Sequence, residues 1–439
     1  MNLISDPIPQ LLRKIAIPAS IGMFFNTMYY LVDNFYAGML SSTALAGISL
    51  AAPVIFMGVA VSIGIGQGTN ALVGNALGNN DQTTAEKFGG HALSFAWLSA
   101  IFVGLLLYLM LPNIFKLMSA QGDYTQEAIK YLSIMLPTLG FMAHGMAANG
   151  ILNSLGDTTS LRNSLIVAFM ANIALDPLFI FVFDWGIYGL AAATAITQLG
   201  STIYLTMKVK QSRLSNSLSP TNLSPNWFHY RALITQSVPA STNMFFIAIG
   251  SLIITAAVAR FGEDAVAALG IALRIEQLIL LPTIGINIAV LSLVSVNFGA
   301  KQFDRLQHAS LASTQIGALL MVGGGIFLFI FAKPLITLFT NNPSVIDIGV
   351  SYLRIEAIIL PAYVLSFVAG AALQGMRKPL TPMYFNILRQ ILLPFSFIAI
   401  ALHVLDSGIM GIWISIAVAT WLSASVQYLH MRQHIKQLK

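Results

Sequence analysis

The chain has 439 residues, of which 9% are Asp, Glu, Lys or Arg and 56% are hydrophobic, with a mean hydropathy of +0.78. Soluble globular proteins carry about 25% charged residues, so a soluble fold is excluded and a polytopic membrane protein, with lipid against its exterior, is indicated. Cysteine is absent, which removes disulfides, zinc-thiolate sites and thiol nucleophiles, and a net charge of +6 in such a chain points to basic cytoplasmic loops rather than to nucleic acid.

A helical span takes about 20 apolar residues. Twelve are predicted, at 13–39, 44–73, 88–111, 126–149, 160–183, 187–208, 233–259, 265–295, 308–331, 346–370, 381–403 and 409–431. The first apolar stretch, Ile15 to Leu40, is long enough to remain a span rather than be a cleaved signal peptide. The Ser-, Asn- and Pro-rich segment 209–232 reads as a linker between an N-terminal six-helix lobe, 1–208, and a C-terminal one, 233–439.

The lobes repeat. Pro18-Ala19-Ser20 returns as Pro239-Ala240-Ser241 and Met23-Phe24-Phe25 as Met244-Phe245-Phe246, both at the same offset in numbering. That offset also lays Gly78 on Gly299 and Tyr131-Leu132 on Tyr352-Leu353. With six spans per half, both halves enter the membrane from the same side. The expected fold is therefore an all-α membrane protein of two six-helix bundles, related by a pseudo-two-fold axis along the membrane normal.

Orientation follows from basic residues. With both termini cytoplasmic, the inside carries Arg13, Lys14, Lys87, Arg162, Lys208, Lys210, Arg213, Arg231, Lys301, Arg305, Arg377, Lys378, Arg432, Lys436 and Lys439. The outside carries Lys116, Lys130, Arg260 and Lys333. That asymmetry obeys the positive-inside rule and predicts a multi-pass protein of the inner (plasma) membrane.

Ionisable side chains inside spans are costly and mark function. Counted along the helices from the basic residues at their cytoplasmic ends, Arg13 to Asp33 rises about 30 Å and Arg162 to Asp176 about 21 Å. Both carboxyls then sit in the outer half of the membrane, with no basic residue of the first-half spans at that depth. Low dielectric and a neighbouring acid both disfavour the charged form. This is the chemistry of a proton carrier and equally that of a small-cation site. A third reading makes both acids protonated structural residues.

Their surroundings are polar. Asn26, Tyr29, Asp33 and Tyr36 share one helical face by their 3, 4, 3 spacing. Asn172 stands one turn before Asp176, and Pro177 removes the hydrogen bond to the carbonyl of Ile173, leaving it open to water or a cation. Thr194, Thr197, Gln198 and Ser201 add a polar stripe in span 6. The second half has Ile254 where the repeat would place an acid. It has instead Arg274 and Glu276 in span 8, Arg354 and Glu356 in span 10, and Arg389 in span 11. Residues two apart on a helix do not face each other, so Arg389 is expected to pair with Glu276 or Glu356 across helices. A charge-compensated structural network is the first reading of this group and a direct transport role the second.

At these residues the chain resembles the multidrug and toxic compound extrusion (MATE) family, and its bacterial DinF-like branch in particular. The likeness spans nearly the whole chain. It rests on Pro18 with Asp33 following in the same span, Asn172-x-x-x-Asp176, Thr194, Arg274-Ile275-Glu276 before Pro282, and the loop elements Gly78 and Leu155-Gly156-Asp157. Membership would imply two lobes, alternating access and export driven by inward H⁺ or Na⁺. The resemblance implies a first-lobe pocket of Asn26, Tyr29, Asp33, Asn172, Asp176 and Thr194, with Asn149 and Asn153 as further lining residues. It also implies a hinge at Pro18, where the first helix would bend when the acid is protonated. This branch lacks the second-lobe carboxylate site of other branches.

Other signals carry little. Gly64-x-Gly66-x-Gly68 lies inside a hydrophobic span with no strand before it, so it reads as close helix packing rather than a nucleotide loop. His430 and His434 lack the acid of a zinc-protease motif, and no Walker or G-x-S-x-G element occurs. His91, His144 and His403 are scattered over unrelated spans, so no intramembrane enzyme is indicated. The expected function is export of amphipathic, mostly cationic organic compounds by a monomeric H⁺ or Na⁺ antiporter without a cofactor, H⁺ being favoured by the resemblance. The alternative is a flippase of lipid or lipid-linked saccharide, which wants a basic cavity where the first-half spans hold acids.

Overall fold

Long apolar runs fold here as long helices. The computed structural model describes residues 1–118, 120 and 122–438; Lys439, counted above among the cytoplasmic basic residues, lies outside the described residues. Twelve long helices follow one another: α1 (Ile8–Leu40), α2 (Ser42–Gly78), α3 (Gln82–Leu117), α4 (Asp123–Ser154), α5 (Thr159–Val182), α6 (Gly186–Lys210), α7 (Trp227–Val258), α8 (Glu263–Gly299), α9 (Phe303–Thr337), α10 (Pro343–Gly375), α11 (Leu380–His403) and α12 (Gly408–Gln437). Two short helical turns, Ser215–Leu218 and Pro220–Leu223, lie between α6 and α7. At the α-helical rise, a helix of 33 to 37 residues extends about 50 Å, well past a hydrocarbon core of about 30 Å.

Ten of the twelve are long and apolar enough to cross a membrane. The other two, α4 and α6, carry more polar side chains, among them Glu127, Lys130, Asn149 and Asn153 in α4 and Thr194, Thr197 and Thr202 in α6. They pack against each other, and α4 also packs on α2 and α3, so less of their surface is left to lipid. Outward faces elsewhere are apolar: Ile101, Phe102, Leu105 and Leu109 of α3 are all more than half exposed. Lipid solvates such a face where water would not, and the chain is a multi-pass membrane protein.

The chain forms two compact units. One comprises Met1 with Ile21–Ser241, and the other comprises Asn2–Ser20 with Thr242–Lys439. Within the first, α2 packs on α4, α4 on α6 and α5 on α6; within the second, α8 packs on α10, α10 on α12 and α11 on α12.

The repeat extends to the backbone of the loops. After α2, Asn80 has a positive φ of 58°, its N–H donating to Leu77 O and that of Asp81 to Ala76 O. After α8, Lys301 has φ 56°, with its N–H on Phe298 O and that of Gln302 on Asn297 O. This is one helix-ending motif made twice, at the offset that relates the two lobes. Gly156 and Arg377 repeat it after α4 and α10, at φ 82° and 61°. Arg377 therefore holds a left-handed conformation that suits glycine, which is what the equivalent loop uses.

Candidate functional site

Three helices of the first unit bring the predicted acids together. Asp33 of α1 and Asp176 of α5 are both buried. The side-chain nitrogen of Asn172, one turn before Asp176, donates to Asp33 Oδ1 at 2.9 Å and to Asp176 Oδ1 at 2.9 Å. Thr194 of α6 donates from Oγ1 to Asp33 Oδ2 at 3.4 Å. Asp176 Oδ2 and Asn172 Oδ1 are buried without a hydrogen-bond partner. Neither aspartate forms an ion pair with a basic residue; the ion pair of Lys130 with Glu127, at 2.7 Å, lies elsewhere.

A second run of hydroxyls leads into the site. Thr197 donates from Oγ1 to the Thr194 carbonyl at 2.9 Å, and Tyr29 OH lies 2.7 Å from Thr197 Oγ1. A hydroxyl has one proton, already given by Thr197 to the carbonyl, so Tyr29 is the donor in that contact. Thr197 belonged to the polar stripe read in the sequence, yet only the fold singles it out from Gln198 and Ser201. Asn26 is half-buried on α1 and is not bonded to these groups.

Pro177 has the local effect its chemistry requires. Lacking an N–H, it leaves the Ile173 carbonyl without its helical donor, and α5 widens into a π-helical turn at Leu178–Val182. Tyr36 OH donates to Ile173 O at 3.4 Å. The carbonyl expected to stay open to water or a cation is thus taken by a tyrosine of the neighbouring helix.

Asn149 and Asn153 are buried in α4, and their side-chain oxygens make no hydrogen bond. There α4 lies against α2 so closely that a Cβ on Gly150 would come within 2.4 Å of the Gly66 carbonyl oxygen. Pro18 sits inside α1, which runs unbroken from Ile8 to Leu40. The passage of α1 from one unit to the other falls between Ser20 and Ile21, just beyond that proline.

The second unit gathers its own buried ionisable group. Tyr352 OH donates to Glu276 Oε2 at 2.8 Å. Glu356 is fully buried, with Tyr363, Glu276 and Arg389 about it. The expected ion pair of Arg389 with Glu276 or Glu356 is not formed. Arg389 lies in a π-helical turn of α11, Leu388–Leu392. Its guanidinium stands over the Tyr363 ring, 5.4 Å from the centroid, and donates to Asn386 Oδ1 at 3.4 Å. Arg274 is exposed, and Arg354 faces the Phe329 ring at 5.4 Å, so neither joins the cluster. Sequence reasoning missed Tyr352 and Tyr363, although Tyr352 recurs from Tyr131 by the repeat.

A family model described as MatE matches residues 18–178 and again 239–400. Among curated proteins the chain is similar to a FAD transporter of Shewanella oneidensis, 26% identical over 97% of this chain and 95% of the relative. It is also similar to the probable multidrug resistance protein NorM of Thermotoga maritima, 26% identical over 92% and 88%, and to the multidrug export protein MepA of Staphylococcus aureus, 24% identical over 95% and 92%. Among solved structures, a MATE protein in its bent conformation superposes with a TM-score of 0.93 at 25% identity, covering 99% of this chain and 97% of the other. The two matched segments reproduce the internal repeat and together take in most of the twelve helices, and on that evidence the chain belongs to the MatE family of membrane transporters.

Proposed function

We propose that the protein is a secondary active multidrug exporter, moving amphipathic, mostly cationic organic compounds by alternating access against an inward flow of H⁺, with Na⁺ as the less favoured coupling ion. The observation that carries this reading is the Asp33–Asn172–Asp176 cluster, two buried acids joined by one amide with no basic partner. When both are ionised, the uncompensated charge favours a cationic cargo. Protons arriving from outside neutralise the acids, affinity for positive charge falls, and cargo leaves. Asp176 Oδ2, buried and without a partner, is a place for such a proton. Tyr29, Thr194 and Thr197 hold Asp33 and its neighbours in register. Excess basic residues in the loops assigned to the inside support cytoplasmic termini in the plasma membrane, and the chain is taken to act as a monomer.

A second reading is export of a dinucleotide such as FAD, favoured by the Shewanella relative. Its anionic cargo fits poorly beside two uncompensated acids. Purified protein in liposomes separates the readings. Export of a lipophilic cationic dye driven by ΔpH alone supports the proton-coupled form, and export driven only by a Na⁺ gradient transfers the same site to Na⁺. Movement of FAD without dye movement overturns the cationic assignment, and lipid scrambling without either turns the protein into a flippase.

A further inference from the structure

The boundaries of the two units obey the internal repeat. The chain passes between units at Ser20–Ile21 in α1 and at Ser241–Thr242 in α7, and these two points are repeat equivalents of each other. The first part of α1 packs with the second unit, where Leu11, Leu12 and Ile15 share a core with Ala289, Leu293 and Val296 of α8. The first part of α7 packs with the first unit, where Tyr230 and Leu233 share a core with Leu72 and Val73 of α2.

One close contact marks each exchange. A Cβ on Gly64 of α2 would lie 2.0 Å from Ser241 Oγ, 2.6 Å from the Ser237 carbonyl oxygen and 2.7 Å from Ser241 N. A Cβ on Gly285 of α8 would lie 2.2 Å from Ser20 Oγ and 2.3 Å from the Ala16 carbonyl oxygen. Gly64 and Gly285, Ser241 and Ser20, and Ser237 and Ala16 are each related by the offset of the repeat. Backbone oxygens are among the clashing atoms, so no side-chain rotation relieves either contact. Gly64 belongs to the Gly64-x-Gly66-x-Gly68 segment. Its middle member faces α4, a Cβ there coming 2.8 Å from Met146 O, while Gly68 faces Ser237 Oγ at 2.5 Å.

We propose that Gly64 against Ser237 and Ser241, and Gly285 against Ala16 and Ser20, are a duplicated pair of backbone latches. Each holds the first part of α7 or α1 in the unit to which the remainder of that helix does not belong. Release of a latch is the event that frees that part to move. Glycine supplies a contact that no other residue permits. The meaning of the motion rests on the transporter reading; the contacts and their release do not.

Because the chain has no cysteine, single cysteines report the latches directly. Ala19 and Ala240, which the repeat also makes equivalent, are each 3% exposed. Ala240→Cys should react slowly with a water-soluble maleimide and speed up with Gly64→Ala. The expected factor is about tenfold, the change that an overpacking cost of ~1.4 kcal/mol produces. Ala19→Cys should respond likewise to Gly285→Ala and not to Gly64→Ala. Gly270→Ala, with nothing within 4 Å of its Cβ, is the control and should leave both rates unchanged. Unchanged labelling in both latch variants overturns the proposal. Should a latch variant fail to fold, hydrogen exchange of the unaltered protein decides. Amides 13–20 and 234–241 should exchange at matching slow rates, and fast exchange of either segment alone overturns the pairing. None of these readouts needs a transported substrate, so a failure here and a failure of the export assay are separate results.

Discussion

Asp33 and Asp176, on different helices far apart in sequence, are joined through a single nitrogen: Asn172 Nδ2 lies 2.9 Å from an oxygen of each. An amide nitrogen has two protons, so both are committed and each carboxyl keeps one oxygen for other partners. Asp33 uses its own to accept from Thr194, and Asp176 leaves its own without a partner. The two carboxyls thus differ in their contacts although they share one donor.

Asp33→Asn should abolish proton-driven dye export while leaving the amount of protein in the membrane unchanged, because an amide of the same shape cannot cycle a charge. Asp176→Asn should do the same. Immunoblot abundance beside transport in everted vesicles checks both, and full antiport by either variant removes that residue from the coupling site.

Asn172→Ala leaves two acids without the donor that joins them. A hydrogen bond between membrane helices is worth about 0.6–1.7 kcal/mol, so losing the bond to Asp33, together with the one to Asp176 within α5, should lower the thermal midpoint measurably. The five tryptophans give the fluorescence readout. Transport should fall further than stability does, since the geometry of the pair depends on this amide. Equal small losses in both would make Asn172 structural alone.

Tyr36→Phe removes the donor to the Ile173 carbonyl exposed by Pro177. The expected cost is small, about 0.6 kcal/mol, because the bond is long and partly exposed. Transport should survive in this variant. A dead Tyr36→Phe protein would show instead that the widened turn after Pro177 must be held shut for the cycle to run.

The acids themselves were legible in the sequence because an ionisable side chain inside an apolar run is costly, and their helical faces follow from residue spacing. The repeat gave the two-bundle fold because the same local signals occur twice at one interval. What could not be read was which polar neighbours turn inward. Asn149 and Asn26 are the same residue type as Asn172, and only packing separates the one that bridges two carboxyls from those that do not. The pairing of Arg389 failed for a similar reason. A π-helical turn changes the direction of its side chain, and neither the turn nor the Tyr363 ring beneath it leaves a mark in helical spacing.

Gly150→Ala tests the packing of α4 on α2. The added Cβ would lie 2.4 Å from the Gly66 carbonyl oxygen and 2.9 Å from Thr69 Cβ, and backbone cannot step aside as a side chain can. Destabilisation of about 1–3 kcal/mol is expected, seen as a lowered thermal midpoint. Gly200→Ala, with open space around its Cβ, should leave the midpoint where it was.

Arg389 decides whether the second-unit cluster is scaffold or machinery. It is one buried cation near two buried acids, neither of which it touches in an ion pair. Arg389→Ala should therefore destabilise, since it removes the buried cation nearest the two acids together with its contacts to the Tyr363 ring and Asn386. Adding Glu356→Gln removes one of the stranded acids and should recover a large part of that loss. If the double variant regains stability and also exports dye, the cluster is structural, and the transported charge belongs to Asp33 and Asp176. If it regains stability and still fails to export, Arg389 or Glu356 takes part in the cycle itself, and the first unit does not carry the coupling by itself.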